Sequence, residues 1–268
     1  MGKRYESGDW YQAPLWYDII FDRDTEREAD FLESVRVAHG LSLGRRVLEP
    51  ACGTGRILIE LASRGWDCSG FDAESAMVEF ADLRAQQEHV RDRVTVWEDR
   101  MEAFSLMTSS GFDLAFALLS TFKYLTEEKH VSAFLNQVSH SLAPGGIFVL
   151  GTHLTDYSLE KPEHERWVGE RDGVRVVCNT RTWPADSKTR LEKMRNRLEV
   201  IQDGEHAARV ETLWDVRSYS ANELRATIEK VPDLEVAATY DFDYDLGNPL
   251  TGWKNSDTVV LVLRKTPC

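Results

Sequence analysis

From Val47 the chain runs Val47-Leu48-Glu49-Pro50-Ala51-Cys52-Gly53-Thr54-Gly55-Arg56, an apolar run that stops at an acid and a proline and then turns through two glycines. The pattern reads as strand, tight loop and helix. Glycine takes positive φ and, with no Cβ, lets a ligand lie against the backbone in the crevice above a parallel sheet. Glu49 puts a carboxylate at the mouth of the strand, where it repels a pyrophosphate and attracts a cation. Leu58 stands where a dinucleotide fingerprint needs its third glycine. The expected ligand is therefore positively charged and poor in phosphate, which disfavours a nucleotide-binding dehydrogenase.

An acid should also meet the ribose hydroxyls of a nucleotide-like ligand about 20 residues past such a loop. Asp72 lies 17 residues past Gly55, at the end of the apolar run Cys68 to Phe71. It is the expected ribose ligand, and capping the following helix is its alternative role. Further along, Trp97-Glu98-Asp99-Arg100-Met101 follows a third apolar run, and Leu114 to Leu119 makes a fourth that opens into Ser120-Thr121-Phe122-Lys123-Tyr124.

The glycine loop resembles the first motif of the class I S-adenosylmethionine (SAM)-dependent methyltransferases, an acid, a few small residues and then G-x-G. Leu142-Ala143-Pro144-Gly145-Gly146 before the apolar run Ile147 to Leu150 is similar to the same family. The resemblance implies SAM as cofactor. It also implies an α/β fold with a Rossmann-like, doubly wound sheet of seven strands in the order 3-2-1-4-5-7-6, the last strand antiparallel. Cofactor contacts are then expected from Glu49, Ala51, Cys52, Gly53, Gly55 and Arg56, and from Asp72 with Ala73 and Met77 beside the adenosine. Asp99 would accept from the adenine amino group, with Arg100, Met101 and the fourth-strand Leu118 nearby. The order of motifs is closest in style to the small-molecule branch, which includes sugar-amine and glycine/sarcosine-type N-methyltransferases.

Around these motifs the helices announce themselves by caps and periodicity. Thr25-x-x-Glu28 has capping-box form ahead of Phe31, Leu32, Val35 and Ala38. Ile57, Leu58, Leu61 and Ala62 give the helix after the loop its buried face. Glu127 to Leu142 carries Val131, Phe134, Leu135 and Val138 on one side, and Ser220-x-x-Glu223 caps a late helix. Apolar runs Leu234 to Ala238 and Thr258 to Leu263 supply the last two strands.

Residues 160–218 do not fit that alternation and read as an antiparallel β insertion after the fifth strand. Asp172-Gly173 and Asp203-Gly204 are turn signals between β-favouring runs. Pairing Leu198 with Val210 fixes the second hairpin, because a slip of one residue would send its apolar face to water. Met194 then faces Trp214 and Asn196 faces Thr212. On the other face Arg197 meets Glu211, Lys193 meets Asp215 and Glu199 meets Arg209, a salt-paired outer surface. The segment is expected to be a lid and acceptor-specificity element or else a homodimer element, with residues 1–159 and 219–268 forming the cofactor-binding domain.

The 268 residues carry 42% hydrophobic side chains and a formal charge of -13, enough core for one domain with an embellishment. Residues 160–218 hold 12 basic and 12 acidic side chains, leaving 20 against 33, so the acidity belongs to the rest of the chain. Such a balance disfavours a nucleic-acid partner. No run approaches the ~20 apolar residues of a membrane span, and Met1 to Glu6 does not lead into a signal-peptide core. Cys52, Cys68, Cys178 and Cys268 lack C-x-x-C spacing, so no metal site and a reducing, cytoplasmic address are expected.

Methyl transfer from a sulfonium is an in-line displacement in which the protein orients, desolvates and deprotonates the acceptor. The fourth strand lacks the Asn-Pro-Pro-Tyr type of motif that holds bases and planar amides, so a small-molecule acceptor is expected. His153, after the fifth strand, is the histidine placed to take a proton, with a loop-bonded structural role as its alternative. Tyr124 is the second catalytic candidate and Lys123 reads as a solvated charge. Trp10, Tyr11, Trp16 and Tyr17 either pack a terminal helix on the core or form a flap over the cofactor that brings Tyr17 to it. Asp241, Asp243 and Asp245 after the sixth strand add negative potential near the pocket or sit in a solvated loop.

Overall fold

A computed structural model describes residues 4–42, 44–107, 111–253 and 256–266. Met1 and Cys268 lie outside the described residues. In chain order the elements are β1 (Glu6–Ser7), α1 (Pro14–Phe21), α2 (Thr25–His39), β2 (Arg46–Pro50), α3 (Arg56–Ser63), β3 (Asp67–Asp72), α4 (Ser75–Gln87), β4 (Val94–Glu98), β5 (Phe112–Ala117), α5 (Glu128–Ser141) and β6 (Leu142–His153). There follow β7 (Glu163–Arg171), β8 (Val174–Thr182), β9 (Leu191–Gln202), β10 (Glu205–Arg217), α6 (Ala221–Ile228), β11 (Leu234–Tyr240) and β12 (Thr258–Lys265).

The main sheet has the order β4-β3-β2-β5-β6-β12-β11, with β12 antiparallel to both its neighbours. Counted along the core strands this is 3-2-1-4-5-7-6. Its strands read as continuous apolar runs because both faces are covered. Val47, Leu114, Ile147, Val149, Val260 and Val262 point to one core. Leu48, Ala115, Phe148, Leu150, Leu261 and Leu263, their alternates, point to the other. Leu58, which replaces the expected glycine of a dinucleotide site, is accommodated by its neighbour strand instead. A Cβ on Gly70 of β3 would stand 2.4 Å from Leu58 Cδ1.

β5 ends at Ala117 rather than at Leu119, because Leu119 and Ser120 both adopt positive φ (53° and 61°) and turn the chain out of the sheet. A second departure concerns α2. Thr25 lies inside the helix, after a short 3₁₀ turn over Asp22–Asp24, and Glu28 is buried against Arg56 instead of closing a capping box. The Ser220 capping box at α6 forms in full.

The second sheet has the order β1-β10-β9-β8-β7. Its turns at Asp172 and Asp203 each take φ 51° before a glycine, as two-residue hairpin turns that follow strand twist require. Val210 pairs with Leu198, Thr212 with Asn196 and Trp214 with Met194. The inner face of this sheet rests on the N-terminal segment, where Trp10, Ile19 and Ile20 pack on Val176, Cys178, Leu198 and Val200. Asp18, 1% exposed, holds helix α1 between the two sheets. Its Oδ1 lies 2.6 Å from Arg84 of α4 and its Oδ2 lies 2.7 Å from Arg171 of β7. No described helix is long and apolar enough to cross a membrane.

Candidate functional site

The loop between β2 and α3 opens at the carboxyl end of the sheet, and three neighbours complete a recess over it. Tyr17 of α1, Glu49, Ala51, Cys52, Gly53 and Arg56 wall it together with Leu118 and Thr121 from the turn after β5. The backbone is shaped for close approach, since Ala51, Gly53 and Gly55 all take positive φ (52°, 54° and 67°). A Cβ on Gly53 would lie 3.6 Å from the Tyr17 ring. The aromatic N-terminal segment therefore lies directly on the glycine loop as well as on the second sheet.

Glu49 is half-buried as a residue, but one of its carboxylate oxygens is fully buried and has no hydrogen-bond partner among the described residues. Desolvation pushes its carboxyl well above the usual carboxylate range. The opposing pull of Arg56 is countered by Glu28 and Asp72. A buried, unpartnered acceptor of this kind fits a cationic donor arriving from the recess. Arg56 is turned away from solvent by an ion pair with Glu28 and by a 2.9 Å bond to Thr25 Oγ1, with Tyr244 donating to Glu28 from behind (3.3 Å).

Both carboxylate oxygens of Asp72 accept from backbone N–H groups. Its Oδ2 accepts from Gly53 N–H at 2.8 Å and its Oδ1 accepts from Glu74 N–H at 3.0 Å. The first bond straps the glycine loop to the end of β3, and the second shapes the start of α4. Burial raises its carboxyl despite these donors. Asp9, bonded to Tyr11 N–H at 2.9 Å, adds a further negative charge beside Asp72 and Glu74. Its place on an N-terminal turn gave no sequence signal.

Ala73, Met77, Asp99, Arg100 and Met101 are not among the residues that wall this recess. Ala73 is exposed, and Met77 is fully buried. Asp99 accepts from Arg100 N–H and Ser105 N–H, both at 2.8 Å, and its own N–H donates to Asp72 O at 3.0 Å. Arg100 is exposed and pairs with Glu102 at 2.7 Å, while Met101 packs at the edge of the second core.

An aromatic cluster stands next to Tyr17. Tyr11 donates to Tyr124 Oη at 2.9 Å, and its ring lies 5.5 Å from Tyr17 and 5.7 Å from Trp214 of β10. Trp214 meets Tyr124 edge-on at 6.0 Å. Desolvation raises Tyr17 beyond the ordinary phenol range and Tyr124 to about 12, so these phenols stay protonated at neutral pH. Three chain segments distant in sequence meet here, and the part played by Trp214 was not legible before the fold.

His153 lies at the far end of β6, its Nδ1 2.8 Å from Ser120 Oγ and its backbone N–H donating to the same oxygen at 2.9 Å. The ring stands edge-on to Phe242 at 5.1 Å. Desolvation, reinforced by the charge of Lys123, lowers His153 to about 4. The imidazole is neutral across the physiological range and a weak base. Lys123 corrects the sequence reading outright. It is 8% exposed and forms a buried ion pair with Glu192 of β9, so it ties the turn after β5 to the second sheet.

Residues 47–146 match the family described as "Methyltransferase domain". The S-adenosyl-L-methionine-dependent Diels-Alderase of Talaromyces variabilis is 29% identical over 147 residues, which is 54% of this chain and 46% of that protein. The chain spans about half the length of the curated relatives it matches. An S-adenosylmethionine-dependent methyltransferase from Clostridium acetobutylicum ATCC 824 superposes with a TM-score of 0.75 at 17% identity, covering 96% of this chain and 99% of that one. The SAM-bound amino pentose methyltransferase from Micromonospora echinaspora gives 0.69 at 20% identity, covering 99% and 100%. At such identities the likeness establishes the Rossmann-like methyltransferase fold.

Proposed function

We propose, from residues 47–146 that match a methyltransferase domain, that the chain transfers a methyl group from SAM to a small molecule, at an amine in preference to a hydroxyl. The observation that carries this reading is the aromatic cluster of Tyr11, Tyr17, Tyr124 and Trp214, which reaches the recess through Tyr17 and lies near the carboxylates of Asp9, Glu49 and Asp72. Aromatic faces and carboxylates stabilise the positive charge that an amine acquires on methylation. The solved amino pentose methyltransferase of the same fold supports the choice of acceptor class.

SAM supplies the electrophilic methyl group. The loop Glu49 to Gly55 would hold the cofactor, Glu49 receiving its cationic end and Asp72 its ribose hydroxyls. Tyr17 covers the loop and excludes water, which strengthens every charge interaction beneath it. The Tyr124 hydroxyl, accepting from Tyr11, positions the acceptor. With His153 at about 4, an amine arriving as the free base passes its proton to solvent after transfer.

The hairpins of residues 160–218 serve as the lid on this site, because their apolar inner face, including Trp214, is covered by the chain's own N-terminal segment. A dimer built on that inner face would need it uncovered. A screen of amines, amino sugars, phenols and carboxylates, read out as S-adenosylhomocysteine, tests the proposal. Turnover confined to amines supports it, and turnover confined to phenols or carboxylates refutes the acceptor class. SAM binding with no turnover on any acceptor would favour a non-methylating SAM-binding role, a reading the Talaromyces variabilis relative makes concrete.

A further inference from the structure

The outer face of the insertion sheet holds more positive charge than its own carboxylates neutralise. The expected pairs are present there, with Lys193 2.9 Å from Asp215, Arg197 2.6 Å from Glu211 and Arg209 3.9 Å from Glu199. Arg181 and Arg195 fall outside this pairing. They sit directly opposite each other on β8 and β9, a placement of like charges that destabilises an antiparallel pair. Both guanidiniums lie on the ring of Trp183, at 4.9 and 5.5 Å. The carboxylate of Glu211 stands 3.8 Å from Arg195, but it already serves Arg197.

The donors are left open as well as the charges. The Nε atoms of Arg181 and Arg195 are buried and have no hydrogen-bond partner among the described residues. The register continues the stripe, placing His164 beside Arg181 and Arg166 beside Asn179, whose other neighbour is Arg197. Burial and the nearby Arg197 and Arg181 lower Arg195 from its ordinary value, while Glu211 opposes them only in part. In a chain of net charge -13, a crowded group of guanidiniums gains from an anion that satisfies it. Planar forks in this arrangement match the oxygens of a phosphate, which accepts from two guanidiniums at once.

We propose that Arg181, Arg195 and Trp183 form a binding site for a phosphate-type oxyanion on the outer face of the insertion, separate from the methyl-transfer recess. The site does not depend on the acceptor reading above, because Arg181, Trp183 and Arg195 are not among the residues that wall the recess.

Calorimetric titration of the full chain with pyrophosphate at constant ionic strength, beside acetate and a nucleoside diphosphate, tests this. Wild type should bind pyrophosphate saturably, and Arg181→Gln/Arg195→Gln should weaken that binding by about tenfold or more. In chloride the double variant should melt at or above the wild-type temperature, since repulsion is relieved. Equal affinity for pyrophosphate and the nucleotide assigns the site to phosphate groups alone. Tighter nucleotide binding that Trp183→Phe abolishes assigns it to a phosphate ester whose organic part meets the indole. No pyrophosphate binding by wild type, acetate binding of equal strength, an unchanged affinity in the double variant, or a double variant that melts lower in chloride would each overturn the proposal.

Discussion

Replacing Glu49 by glutamine should make the protein more stable and its cofactor binding weaker. One oxygen of the Glu49 carboxylate is buried and unpartnered among the described residues, a situation that costs about 1–3 kcal/mol in the free protein. Its pKa is raised in the folded state by burial, then by Glu28 and Asp72 against Arg56, and each unit of such a shift costs about 1.4 kcal/mol of stability once the group is ionised. The folded state thus holds this proton more tightly than the unfolded chain does. The cost is absent below the ordinary glutamate range, grows as pH rises, and is complete above the folded pKa. A glutamine amide mimics the protonated form at every pH. The Glu49→Gln variant should therefore melt about 3–10 °C above wild type at high pH, with the gap closing as pH falls towards the ordinary glutamate value. SAM, being cationic, favours the ionised carboxylate, so wild-type affinity should rise with pH over the same window. The variant should bind about 10- to 100-fold more weakly where Glu49 is ionised, the loss of one charge-assisted hydrogen bond. Differential scanning calorimetry and SAM titration calorimetry across pH read both effects. A variant that melts lower than wild type at high pH, or binds SAM equally well there, would refute the reasoning.

Asp72→Ala should weaken SAM binding by about 1.5–3 kcal/mol and also lower the melting temperature, because Gly53 N–H loses its 2.8 Å acceptor; calorimetry that finds wild-type affinity would remove Asp72 from the site. Lys123→Met should destabilise by about 3–5 kcal/mol by stranding buried Glu192, and Lys123→Met/Glu192→Leu should recover most of that loss in chemical denaturation. His153→Ala should leave kcat within about tenfold of wild type and its pH profile unchanged from about pH 6 to 8, since the ring titrates near 4; a profile that loses a limb near neutrality would restore His153 as general base. Excising residues 160–218 and joining the ends with a short Gly-Ser linker should retain SAM binding while turnover collapses; a truncated protein that methylates at the wild-type rate would end the lid reading, and a change in sedimentation from dimer to monomer would favour the dimer element.

Local chemistry made much of this architecture legible in the chain. The register of β9 on β10 followed from side-chain alternation, since one residue of slip would have exposed Leu198 and Val210. The glycine loop was visible because a tight turn through positive φ needs particular residues at short spacing. What escaped was long-range pairing. Lys123 looked like a solvated charge because Glu192 lies 69 residues away, and Thr25-x-x-Glu28 looked like a cap because nothing near it announces Arg56. The Tyr11–Tyr124 bond spans 113 residues, and only the fold brings Trp214 to it. The backbone bonds of Asp99 were equally hidden: both of its oxygens accept from the following turn.

Transfer of a labelled methyl group is the most direct test of the central claim. SAM carrying an isotopic methyl label should pass that label to the nitrogen of an amine acceptor, with one S-adenosylhomocysteine formed per methyl group transferred. Gly53→Val should abolish the transfer, because a branched side chain at φ 54° is strained and fills the approach to the loop. Label on the nitrogen with wild type and none with Gly53→Val is the expected result. Label that stays on SAM throughout, or a Gly53→Val variant that transfers it undiminished, would contradict the assignment of this recess to methyl transfer.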